Sequence, residues 1–176
     1  SLEKEKDVVD LAVQNGLRAK MLNQSEIKKI EPNINIDSIG AAYFYCDHHT
    51  TPGELINELK DYIQKKGVKC ITNTEIESFE IKNNKIESVN ISNQKLVYDE
   101  YILSAGTWTS KLCKKLGIDL LLQAGKGYSI NHSSKTEISC PAILVEPKCA
   151  ITPMNGFTRY SGTMEISSIN NKIRKN

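Results

Sequence analysis

Residues 41–71 read AAYFYCDHHTTPGELINELKDYIQKKGVKCI, and three signals in them set the architecture. Ala41 to Cys46 is rich in aromatics and reads as a strand. Thr51-Pro52-Gly53-Glu54 is a helix start, with Thr at the cap, Pro at the first helical position and Glu three after the cap. Leu55, Ile56, Leu59, Tyr62 and Ile63 then recur at helical spacing until Gly67 ends the helix. Val68 to Ile71 reads as a second strand. The spacing thus predicts a strand–helix–strand unit of the kind that builds parallel sheets.

On the N-terminal side, Val8, Leu11 and Ala12 among charged residues suit an amphipathic helix over Leu2–Asn15, which Asn15-Gly16 stops. An extended piece, Leu17–Leu22, follows. Asn23 with Glu26 forms a capping-box pattern before a brief helix that ends near Glu31-Pro32. On the C-terminal side the period changes to two. Ile76–Lys82, Lys85–Ile91 and Lys95–Val97 read as strands, turned at Asn83-Asn84 and Ser92-Asn93. Tyr101–Ser104 reads as a strand that runs into Ala105-Gly106 and a helix over Thr109–Leu116, ended by Gly117. Lys126–Ile130, Ala142–Glu146, Ala150–Thr152, Thr158–Tyr160 and Thr163–Ile166 read as antiparallel strands between polar turns. Residues 170–176 form a polar, frayed end. The fold class is α/β at the centre passing to α+β, a mixed sheet with helices.

Composition narrows the function classes. The 176 residues are 39% hydrophobic and 25% charged, an ordinary globular balance. A net charge of +2 gives no ground for nucleic acid as a partner. No run reaches the roughly eighteen apolar residues of a membrane helix, and Ser1–Asp10 does not resemble a signal peptide. Cys46, Cys70, Cys113, Cys140 and Cys149 form no CxxC pair and are odd in number, which suits reduced thiols in a cytoplasmic protein.

Most self-standing motifs are absent: there is no GxxxxGK[ST] and no HExxH. His48 and His49 are adjacent and point to opposite sides of an extended chain, and His132 has no partner at ligand spacing, so no metal is expected. Gly125-Lys126-Gly127 begins like a dinucleotide fingerprint, but Ile130 occupies the third glycine position and no helix follows. The informative segment is YILSAGTWTS, residues 101–110. An apolar strand ends at two small residues, which let a flat group or another backbone come close, and then turns into a helix. An ordinary strand-to-helix turn fits this spacing equally well.

Ser104-Ala105-Gly106-Thr107-Trp108-Thr109 resembles the A-G-x-W-[ST] segment of glycine oxidases, sarcosine oxidases and D-amino-acid dehydrogenases. Thr51-Pro52-Gly53 resembles the D-P-x-x-L helix start of these flavoproteins, and Thr74-Glu75-Ile76 their T-x-V segment. Lys126-Gly127-Tyr128-Ser129 resembles the K-G-Y-S of FAD-dependent D-amino-acid dehydrogenases. Ala150-Ile151-Thr152 and the run Arg159 to Glu165 resemble their A-I-T and R-x-x-G-T-x-E segments. The likeness extends from about Asn23 to Ile166.

The resemblance implies the central part of a DAO-like FAD-dependent oxidoreductase over residues 1–169. It would carry the antiparallel substrate-binding sheet and FAD-domain segments near 41–78 and 99–117. By the same analogy Ile76 offers main-chain groups to the adenine, and Ala105, Gly106 and Trp108 pack near the dinucleotide. Lys126, Tyr128 and Arg159 face the flavin ring and an amino-acid substrate. A guanidinium matches a carboxylate with paired N–H donors, although Arg159 also reads as a surface strand residue. No catalytic residue is singled out. The implied reaction oxidises an amino acid, a D-amino acid by the closest motifs, to the imino and then keto acid by hydride transfer to FAD. Oxygen or a membrane quinone would take the electrons, the latter with a peripheral contact at the inner face of the membrane. The family's opening G-x-G-x-x-G and closing glycine segment are missing here, so the isolated chain is expected not to hold FAD tightly. Alternatives are a glycine or sarcosine oxidase, a 2-hydroxyacid dehydrogenase, and a non-catalytic binding module.

Overall fold

The computed structural model describes residues 2–134, 136–170 and 172–173. The chain divides into two compact units, and each is built from two separate stretches. Unit 1 comprises Ser1–Glu58 and Tyr128–Thr163; unit 2 comprises Leu59–Gly127 and Met164–Asn176.

Unit 1 opens with helix α1 (Leu2–Gln14), whose Val9 is buried. Gly16 stops it at φ +80°, and the Leu17 N–H returns to the Ala12 carbonyl at 3.0 Å. Strand β1 (Ala19–Leu22) pairs antiparallel with β2 (Ala41–Phe44), Leu22 opposite Ala41. Gly40 is required just before β2, because a Cβ there would stand 2.9 Å from the Leu22 carbonyl oxygen. Between the strands lies α2 (Gln24–Ile30), and its capping box forms as the sequence predicts. Asn23 Oδ1 accepts the Glu26 N–H at 3.0 Å, and Glu26 Oε2 accepts the Asn23 N–H at 2.9 Å. Ile27 and Leu22 are buried beside it.

Buried Glu31 ends α2 and joins the two stretches of unit 1. Its carboxylate accepts the Ser139 N–H at 3.0 Å, the Ser139 hydroxyl at 2.9 Å and the Cys140 N–H at 2.6 Å. A second tie runs from the turn at Asn155-Gly156. There the Asn155 N–H donates to Thr51 Oγ1 at 3.2 Å, and its amide Nδ2 to Glu54 Oε1 at 2.6 Å. Thr51 and Glu54 are the residues that start helix α3 (Pro52–Lys65).

A four-stranded sheet has the order β6-β9-β8-β7, from β6 (Gly125–His132), β7 (Ala142–Leu144), β8 (Cys149–Met154) and β9 (Phe157–Ile166). Thr158 is almost fully buried and its hydroxyl lies 2.6 Å from that of Thr136.

Unit 2 contains an antiparallel meander of β3 (Ser78–Lys82), β4 (Lys85–Ile91) and β5 (Gln94–Leu96). Both turns need two consecutive left-handed residues. Asn83 and Asn84 supply φ +49° and +60°, Ser92 and Asn93 φ +44° and +62°. Ser88, Val89 and Ile91 are buried along β4. The Tyr101 hydroxyl donates to the Glu87 carbonyl and accepts the Tyr98 N–H, each at 3.0 Å, which pins the chain beyond β5 onto β4. A 3-10 turn (Gly106–Trp108) then leads into α4 (Thr109–Lys115), with Cys113 buried.

Four expectations change. β2 pairs antiparallel with β1, and Val68–Ile71 is not a strand, so the parallel strand–helix–strand unit does not form. Tyr101–Ser104 is likewise not a strand. Apolar side chains suit both segments to a sheet, but a strand also needs a neighbouring edge for its hydrogen bonds. Thr158–Tyr160 and Thr163–Ile166 are one strand, not two. Gly162 between them marks a close approach, since a Cβ there would meet the Lys148 carbonyl oxygen at 3.0 Å. In the expected frayed end, Asn170 and Lys172 make hydrogen bonds, while Asn171 and 174–176 lie outside the described residues.

Replacing Glu31 by Ala is expected to cost about 1.5–3 kcal/mol, because the Ser139 and Cys140 donors lose a charged acceptor. The urea midpoint of E31A against wild type measures it. On the meander, the Lys95 ammonium donates to Glu80 and holds that carboxyl below its ordinary range. A lowered carboxyl contributes stability above its unfolded value and loses it as pH falls through the folded one. The Glu80 carboxyl resonance is therefore expected to titrate below an ordinary glutamate, and K95M to move the midpoint up.

Candidate functional site

The turn at Ala105–Trp108 is shaped by one backbone angle. Ala105 sits at φ −90°, ψ 21°, and Gly106 follows at φ +55°, a conformation that favours glycine. The Trp108 N–H closes the turn on the Ala105 carbonyl at 3.1 Å. A Cβ built on Gly106 would meet nothing within 4 Å, so this side of the turn is open. The Trp108 indole beside it is 55% exposed.

Ile76, placed near the adenine by resemblance, lies just before β3 in the same unit. Its position is set by a residue that the sequence reading missed. Lys115, at the end of α4, donates from Nζ to the carbonyls of Ile76 and Glu77, each at 2.8 Å. The Glu77 N–H is held from the other side by the Asn90 carbonyl at 2.9 Å. No short-range pattern could reveal Lys115, since its acceptors are 39 and 38 residues away.

Gly125 and Gly127 lie within β6 and open no helix. Lys126, between them, is half-buried and donates to Asn170 Oδ1 and the Lys172 carbonyl, each at 2.8 Å. Both partners belong to unit 2, as do Ile76, Ala105, Gly106 and Trp108. Tyr128 and Arg159 belong to unit 1. Tyr128 is half-buried. Arg159 Nε donates to Asn131 Oδ1 at 3.0 Å, and its guanidinium carbon lies 5.6 Å from the centre of the Phe157 ring. Strand alternation sets Tyr128 and Asn131 on opposite faces of β6. The Arg159 head group therefore reaches the face away from Tyr128, with Asn131 as an orienting partner that the sequence did not suggest.

Two of the three histidines are engaged locally. His48 Nδ1 lies 2.7 Å from the Cys46 carbonyl, and His132 Nδ1 accepts the Ser134 N–H at 3.0 Å. Among the described residues no three His, Cys, Asp or Glu gather as metal ligands.

The arrangement fits the edge of a flavin dinucleotide site: an open glycine turn, an exposed indole and a fixed main-chain segment in one unit. A pyrophosphate cradle is a different element, and the sequence contains no G-x-G-x-x-G.

The DAO family model, described as FAD dependent oxidoreductase, matches residues 1–175. A D-amino acid dehydrogenase of Helicobacter pylori is 31% identical over 158 residues, 89% of this chain and 38% of that protein. A monomeric sarcosine oxidase of Bacillus sp. (strain B-0618) is 27% identical over 162 residues, 89% of this chain and 41% of that protein. The glycine oxidase structure from Bacillus cereus ATCC 14579 superposes with a TM-score of 0.82 at 22% identity, covering 98% of this chain and 47% of its own. The chain spans less than half the length of these relatives. With the family model matched almost end to end and the fold shared, the chain belongs to the DAO family of FAD-dependent oxidoreductases.

Proposed function

We propose that this chain is the substrate-facing part of a flavoenzyme that oxidises a D-amino acid to its imino acid, which water then converts to the keto acid. The observation that carries the D-amino-acid reading is the likeness to D-amino acid dehydrogenases, at 31% identity for that of Helicobacter pylori and 26% for that of Vibrio vulnificus. A longer parent is supported by the relatives' greater length and by α3. Its apolar stripe, Leu55, Ile56, Leu59, Tyr62 and Ile63, is exposed, as for a helix made to pack on a further layer.

When bound, FAD supplies the hydride acceptor. The chain's own residues do the rest. Ile76, Ala105, Gly106 and Trp108 form the edge of the dinucleotide site. Of the substrate residues that the likeness suggests, Arg159 is the one whose free donors suit a carboxylate, because Tyr128 lies on the opposite face of β6 from its head group. Arg159, steadied by Asn131, offers the remaining guanidinium N–H groups to a carboxylate and so orients the substrate Cα–H. A second reading, an oxidase of glycine or sarcosine, draws on the 27% identity to monomeric sarcosine oxidase.

Mixed with FAD, the isolated chain is expected to leave the free-flavin spectrum unchanged; a stoichiometric, protein-shifted spectrum would refute this. In the full-length flavoprotein, turnover of D-alanine without turnover of glycine or sarcosine is expected, and the reverse pattern favours the second reading. R159M in that protein should raise KM for the amino acid roughly ten- to hundredfold, the worth of a charged hydrogen bond. Steady-state kinetics read the change.

A further inference from the structure

Lys115 does more than end a helix. A lysine in the last turn usually meets its own helix's carbonyls or solvent. Here Nζ spans two consecutive carbonyls of another segment, Ile76 and Glu77, at 2.8 Å each. That segment lies outside β3, so no strand ladder orders the Ile76 carbonyl. It is gripped instead at two points, the Lys115 ammonium and the Asn90 carbonyl that accepts the Glu77 N–H. The same helix begins directly after the Gly106–Trp108 turn. Helix α4 thus starts directly after the open glycine turn, and its last residue grips the Ile76 main chain.

We propose that Lys115 is a positioning residue for an adenine nucleotide, holding the Ile76 main chain at a set distance from the Gly106 turn so that both meet one flat base. The inference rests on the flavoprotein reading above. It concerns spacing rather than charge: the ammonium is turned onto carbonyls, so its role is the same for a nucleoside and a nucleotide. Arg retains charged donors at this position, while Met keeps the stem and removes them.

The test titrates the isotope-labelled chain with adenosine and with AMP, following the amides of Ile76 and Gly106, in wild type, K115M and K115R. Weak binding of both probes to wild type is expected, with shifts at both amides. K115M should weaken both probes by the same factor, about fivefold or more, while K115R stays within about twofold of wild type. Hydrogen-exchange protection of β3–β5 should be unchanged in K115M. No shift at either amide in wild type overturns the nucleotide site and Lys115 with it. Wild-type shifts with undiminished K115M binding overturn the role of Lys115 alone. Weakening confined to AMP makes Lys115 a phosphate attractor, and loss of β3–β5 protection makes it a general structural residue; each overturns the proposal.

Discussion

The Glu31 carboxylate takes three donors from Ser139 and Cys140, more than a hundred residues further along the chain. Unit 1 depends on this contact because its two stretches, residues 1–58 and 128–163, are separated by most of unit 2. A buried carboxylate without partners is costly, whereas one that meets three donors locks its neighbours in place. The tie from Asn155 to Thr51 and Glu54 repeats the device at the start of α3. Polar contacts, rather than a large apolar centre, define how the distant pieces of this unit meet. Among its described residues the buried apolar side chains are Val9, Leu22 and Ile27.

Unit 2 is assembled on the same principle with the charge reversed. A cation, Lys115, reaches two carbonyls that no ladder occupies. The Tyr101 hydroxyl bridges Glu87 and Tyr98 in the same way. The consequence is functional. On the function we propose, the Ile76 main chain at the dinucleotide edge is held by a side chain that would not touch the ligand. Such support is what gives a site on irregular backbone its geometry.

Local features were legible because their physics is local. The capping box at Asn23 and Glu26, the Asn83-Asn84 and Ser92-Asn93 turns, and the glycine stops at Gly16 and Gly117 all act within a few residues. Pairing was less legible. Val68–Ile71 and Tyr101–Ser104 have strand composition but not strand structure, because a ladder is a property of two segments. Thr158–Tyr160 and Thr163–Ile166 read as two strands and form one, and Gly162 between them closely approaches the Lys148 carbonyl, a neighbour that only the pairing of β8 and β9 brings near.

The site divides along the same line. By itself the sequence determined which residues carry the family likeness, from Ala105-Gly106-Thr107-Trp108 through Lys126 and Tyr128 to Arg159, because residue identity and order are all such a likeness needs. It also determined that Gly106 could take a left-handed angle, since glycine lacks the Cβ that forbids it. Only the tertiary structure decided what holds these residues. Lys115 on Ile76, Asn170 on Lys126 and Asn131 on Arg159 are contacts across 28 to 44 residues. They depend on where the backbone brings two side chains together in space, and no pattern along the chain encodes that distance.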